Sequence, residues 1–103
     1  MFALVYRFRI HENTEQAFIA SWAELTSMIR KHEGSLGSRF HKEDETTYIA
    51  YAQWPSKAHW EALGEGLPPE ADAVRQRMRA CCISVERLHE LECVKDLLET
   101  ASL

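Results

Sequence analysis

Long hydrophobic runs are missing from this chain. No apolar stretch approaches the roughly 20 residues that a membrane-spanning helix requires. The N-terminal Met1-Phe2-Ala3-Leu4-Val5-Tyr6-Arg7 has neither the basic start nor the small-residue cleavage site of a secretion signal, and it alternates like a strand. Cysteine is scarce: Cys81, Cys82 and Cys93 are an odd number with two adjacent, so no disulfide framework is expected. No Cys-x-x-Cys pair and no histidine pair at zinc-finger spacing occurs, which leaves small buried thiols in a reducing compartment as the plain reading. Glycine-rich phosphate cradles of the P-loop or dinucleotide type are absent. Positive charge is also in short supply. A net charge of −4 argues against nucleic acid, because phosphate binding needs a concentrated basic surface. Arg75, Arg77 and Arg79 cluster near one helix end, where a solvated face with favourable dipole placement accounts for them.

The sequence does have enough apolar material for a core. Its 103 residues, 46% hydrophobic and 27% charged, fit a single cytoplasmic globular domain spanning 1–103. Residues 2–10 alternate with a period of two and read as a strand. Asn13 offers a helix N-cap with Gln16 three residues on. Phe18, Trp22, Leu25 and Ile29 then form a helical stripe that Gly34 is placed to end. Residues 35–43 and 46–54 alternate again, as a hairpin joined by Glu43-Asp44-Glu45. Ser56 caps a short helix containing Trp60 and Leu63, and a further helix covers about 70–80 with Ala71, Val74 and Met78 on one side. Residues 81–92 alternate, and Val94–Leu98 reads as a short terminal helix.

The order strand, helix, strand, strand, helix, strand is the split βαβ of the ferredoxin-like α+β fold, an antiparallel sheet with both helices on one face. Alternation places Phe2, Leu4, Tyr6, Phe8, Leu36, Phe40, Tyr48, Ala50, Ala52, Trp54, Ile83 and Val85 under the helices. The opposite face mixes Val5, Ile49, Tyr51 and Leu88 with Arg7, Arg39, His41 and Glu86. Such a face suits neither plain solvation nor a core. A homodimer packed through the open sheet face, with arginine–carboxylate pairs within or across subunits, satisfies both sets of groups better than a solvated monomer.

Two stretches carry a family resemblance. Glu33-Gly34-Ser35-Leu36-Gly37-Ser38-Arg39-Phe40-His41-Lys42-Glu43 looks like a helix end, glycine and second strand. Tyr48-Ile49-Ala50-Tyr51-Ala52-Gln53-Trp54-Pro55-Ser56-Lys57-Ala58-His59-Trp60 looks like a third strand and its following helix. With the first strand, these resemble the antibiotic biosynthesis monooxygenase domain over roughly residues 2–92. The resemblance implies a dimeric α+β barrel with ligands held between sheet and helices. It also implies an activity among cofactor-free oxygenases of phenols or haem-degrading enzymes, and Trp54 matches a recurring pocket Trp. The haem-degrading branch uses an Asn on strand one; here Tyr6 and Phe8 stand on that strand, which argues against haem degradation.

The resulting expectation is a monooxygenase-like protein without metal, flavin or other cofactor, acting on a hydrophobic aromatic small molecule of phenolic or quinone type. His59, Trp54 and Tyr6 are its candidate catalytic residues, with Trp22, Ser38, Tyr48 and Trp60 lining the substrate pocket. Each has a plainer reading. Trp54 and Trp22 serve equally as core aromatics, Tyr6 and Tyr48 as buried tyrosines satisfying a backbone carbonyl, and His59 as an exposed helix histidine. If it is neutral at a helix N-terminus, His59 suits a general base. A haem or small-ligand binding module without turnover, and an idle dimeric domain, are the alternative functions.

Overall fold

The computed structural model describes residues 1–98. Its elements are β1 (Phe2–Ile10), α1 (Glu15–Glu33), β2 (Gly37–Asp44), β3 (Thr47–Trp54), α2 (Lys57–Glu61), α3 (Glu70–Ala80) and β4 (Cys82–Glu92). The strands form one antiparallel sheet in the order β2-β3-β1-β4, the expected ferredoxin-like arrangement. No helix among the described residues is long and apolar enough to cross a membrane.

Strand alternation becomes a single core on one side of the sheet. Phe8, Ile10, Tyr48 and Ala50 from the strands meet Phe18 and Leu25 of α1 and Ala71, Val74 and Met78 of α3. Phe18, which has no solvent exposure, is the hub; Phe8, Phe40 and Tyr48 stand around it at centroid distances of 5.4, 5.5 and 5.5 Å. Phe2, Leu4, Ala52 and Trp54 form a second buried cluster at the far end of β1 and β3. Gly34 ends α1 at φ 77°, a left-handed conformation that a Cβ would strain. Ser56 caps α2 as expected, its hydroxyl accepting from the His59 amide.

Several local expectations are corrected. Asn13 is not the cap of α1. It sits in a left-handed turn at φ 64°, and Thr14 takes the cap position without a side-chain cap bond. The Thr14 hydroxyl instead donates to the His11 carbonyl at 2.6 Å. Val94–Leu98 is irregular and not helical, bent at Val94, with the Leu98 amide donating to the Asp96 carboxylate at 2.9 Å. Just before it, the Cys93 amide donates to the Met1 carbonyl at 2.9 Å. Leu36 lies before β2 and is 51% exposed, while Ile83 on the edge strand is 63% exposed, outside the cover of the helices.

The inner and outer faces of β4 also exchange along its length. Tyr6 pairs with Arg87 and Val5 with His89, so a bulge at Leu88 switches the parity of every later side chain. Arg87, ahead of the bulge, stands on the inner face beside Tyr6 in line with Val85, and the switch puts Glu90 opposite Leu4. All three cysteines are free; Cys81 is buried, and burial raises the Cys82 thiol, making it a poor nucleophile.

Candidate functional site

A cavity of about 190 Å³ lies between the sheet and the helices. Its floor is Tyr6 and Phe8 of β1, Ser38 of β2, Ala50 and Ala52 of β3 and Val85 of β4. The small side chains Ala50 and Ala52 leave the space. Period-two alternation aims them at the helices, but neither fills the volume that a branched residue would. From above, α1 contributes Trp22, Leu25, Thr26 and Ile29, and α3 contributes Arg75, Met78 and Arg79. Leu63, from the loop after α2, completes the wall.

That loop is seated by α1. The Glu33 carboxylate accepts from the amides of Gly64 and Gly66, and a Cβ at Gly66 would come within 2.8 Å of the His32 carbonyl. Only a glycine lets the loop approach this closely.

Of the residues expected at the site, Tyr6, Trp22 and Ser38 line this cavity. Trp22 is half-buried and stacks on Phe40 at 4.2 Å with an interplanar angle of 20°, which holds its ring as a rigid wall. Burial raises the Tyr6 phenol above its usual range, while the Trp60 indole and the Arg87 guanidinium pull it partly back. Tyr6 is thus a neutral hydrogen-bond donor at ordinary pH, not a base.

The structure places the other expected residues elsewhere. Trp54 is 3% exposed in the second core cluster, opposite Phe2 in the β1–β3 register. Tyr48 is 2% exposed and stacks on Phe40 at 5.2 Å, on the far side of the aromatic cluster. Its hydroxyl is buried without a hydrogen-bond partner, although the Glu15 carboxylate comes near it. Trp60 packs on Phe2 at 5.6 Å and lies under the Arg87 guanidinium at 5.0 Å, next to Tyr6 rather than in the cavity wall.

His59 is exposed. Its Nδ1 is 2.7 Å from the Ser56 hydroxyl and its ring edge faces Gly34, away from the cavity. Among the described residues neither a histidine nor a carboxylate lines the cavity, so the usual general bases are not found in its wall.

Sequence reasoning missed Arg75 and Arg79. Their spacing of four puts both on the α3 flank next to the buried stripe of Ala71, Val74 and Met78, which is the signal that would have found them. Arg77, read with them as a solvated face, does point outward and pairs with Glu24 at 3.1 Å.

Fold and cavity together define a ferredoxin-like α+β domain with an apolar, aromatic-walled cleft under its helices. The chain belongs to the antibiotic biosynthesis monooxygenase family, whose model matches residues 1–64. Among solved structures, SnoaB, a cofactor-independent oxygenase from Streptomyces nogalater, superposes with a TM-score of 0.74 at 18% identity, covering 95% of this chain and 97% of its own. A protein from Chloroflexus aurantiacus named for the same family gives 0.76 at 18% identity, covering 92% and 94%. One from Nitrosomonas europaea gives 0.74 at 10%, covering 92% and 100%. At these identities the likeness speaks for the fold. No curated protein matches the sequence.

Proposed function

We propose that this protein is a monooxygenase without cofactor, oxidising a phenolic aromatic small molecule held in the cavity between sheet and helices. The observation that carries the reading is the cavity itself: aromatic and aliphatic walls with isolated hydroxyls at Tyr6, Thr26 and Ser38. Family membership and the likeness to a cofactor-independent oxygenase support it. Such chemistry needs no external reductant. Four electrons leave the phenol ring and reduce dioxygen; one oxygen atom stays on the ring as a new carbonyl, and the other leaves as water with the protons released.

The protein's part is to exclude water and to steady the phenolate. Tyr6, kept protonated by burial, donates to the developing anion. With no base in the wall, the phenol proton passes to solvent at the cavity mouth. The haem-binding alternative has less support, since no imidazole among the described residues lines the cavity to ligate iron.

The open sheet face supports a homodimer within the same proposal. Val5, Ile49, Tyr51 and Leu88 are half-buried there, and Arg7 spans to Glu86 through two bonds of 3.1 and 3.2 Å. A self-complementary contact would bury these side chains with the ion pair already satisfied inside each subunit. Sedimentation should return twice the chain mass, and a monomer at micromolar concentration would refute the dimer.

The catalytic proposal is tested by oxygen uptake and quinone absorbance with naphthols, for the wild type and for Ser38→Phe, whose ring would occupy the cavity. Wild-type turnover that Ser38→Phe abolishes, with the fold retained by circular dichroism, is the expected result. Naphthol binding without oxygen consumption would make the protein a binding module instead.

A further inference from the structure

The charge lining the cavity is one-sided. Arg75 and Arg79 both line it, and no aspartate or glutamate among the described residues does. Arg79 has no carboxylate partner among the described residues. Arg75 has only a long contact of 3.8 Å to Asp72, whose side chain is 79% exposed. The neighbouring arginines are engaged elsewhere: Arg77 with Glu24 at 3.1 Å, and Arg87 with Glu90 at 3.3 Å and the Trp60 face. Two cations one helical turn apart beside an apolar cavity, one unpaired and one only loosely paired among the described residues, attract an anion and give it a bidentate or bridging seat. Because both arginines stay partly in solvent, the anionic group sits at the mouth and the apolar body points inward toward Trp22 and Phe8.

Size sets a second constraint. An apolar protein cavity of about 150 Å³ takes one benzene ring, whereas sites that engulf larger drug-sized ligands run to roughly 300–1,000 Å³. At about 190 Å³ the cleft seats one ring or two fused rings within its walls, and three or four would project into solvent.

We propose that the ligand of this cavity is an aromatic carboxylic acid of one or two rings, its ring system under Trp22 and its carboxylate on Arg75 and Arg79. The inference rests on the proposed use of the cavity as the substrate site and narrows its substrate class. The carboxylate is a handle: it fixes which ring edge faces the Tyr6 hydroxyl and takes no part in the oxidation.

The test is tryptophan-fluorescence titration with hydroxynaphthoate, its methyl ester and a hydroxyanthraquinone, using wild type and the double variant Arg75→Gln/Arg79→Gln. Wild type should bind the acid about tenfold more tightly than the ester at low salt, which is the scale of one partly screened charge-assisted contact. The preference should shrink as ionic strength rises. In the double variant, acid and ester should bind equally, with the circular dichroism of the wild type retained. Ester binding as tight as the acid in wild type would overturn the acid inference while leaving the cavity as the substrate site. Tighter binding of the anthraquinone would overturn the size limit. No binding of any probe by wild type would overturn the inference and the substrate site together.

Discussion

Replacing Tyr48 by phenylalanine should make the protein more stable. The Tyr48 ring is 2% exposed and is held by stacking on Phe40 at 5.2 Å with an interplanar angle of 6°, and against Phe18 at 5.5 Å. Phenylalanine keeps every one of those ring contacts. What disappears is a buried hydroxyl with no hydrogen-bond partner. Leaving such a group unsatisfied costs about 1–3 kcal/mol. Recovering about 1 kcal/mol of it should raise the melting temperature by roughly 4–8 °C in a domain near this size. Differential scanning calorimetry of wild type and Tyr48→Phe at neutral pH measures the shift directly. The competing outcome is specific. The Glu15 carboxyl is held below its usual range, first by the Tyr48 hydroxyl and then by Lys42. If that hydroxyl closes onto Glu15 in solution, Tyr48→Phe removes a charge-assisted bond. The melting temperature would then fall by several degrees, which would refute the orphaned-hydroxyl reasoning.

Two further outcomes follow from the same structure. Phe18→Ala, at the fully buried hub of the aromatic cluster, should cost about 3–5 kcal/mol, a large share of the roughly 5–15 kcal/mol available to a domain; the midpoint of urea unfolding reads it, and a loss under 1 kcal/mol would mean that α1 is not packed on Phe8, Phe40 and Tyr48 as described. The Glu86 carboxyl is lowered below its usual value, chiefly by hydrogen bonding to Arg7 and then by its charge. A depressed folded pKa gives stability that is present above the ordinary glutamate range near 4.3 and is lost as pH falls through the lowered value. Glu86→Gln should therefore be destabilising at neutral pH, with a cost that shrinks as pH falls below the ordinary glutamate range, checked by thermal melts from neutral to acid pH; an unchanged pH dependence would mean that Arg7 and Glu86 do not pair in solution.

The sequence by itself determined the four strands, the two main helices and their order. Period-two alternation in residues 2–10 and 46–54, the stripe from Phe18 to Ile29 and the glycine at position 34 are local signals, each enforced by backbone geometry or by side-chain direction alone. The order of elements then left one sheet topology compatible with right-handed connections. Sequence also supplied Tyr6, Trp22 and Ser38, because alternation and helical spacing aim those side chains into the same space. Asn13 shows where local signals compete: Asn suits an N-cap and a left-handed turn alike, and the packing of the following helix chose the turn.

Only the tertiary structure decided the rest. The bulge at Leu88 reverses the faces of β4 beyond it and brings Glu90 opposite Leu4, and no residue type in Arg87-Leu88-His89 announces it. His59 and Tyr48 carry the right chemistry in the right elements, yet α2 turns His59 toward Gly34 and the aromatic cluster takes Tyr48. The empty volume over Ala50 and Ala52, and the two arginines that close it, arise from how far α1 and α3 stand from the sheet. That distance is a sum over many side-chain sizes on three packed elements, and no local stretch of sequence contains it.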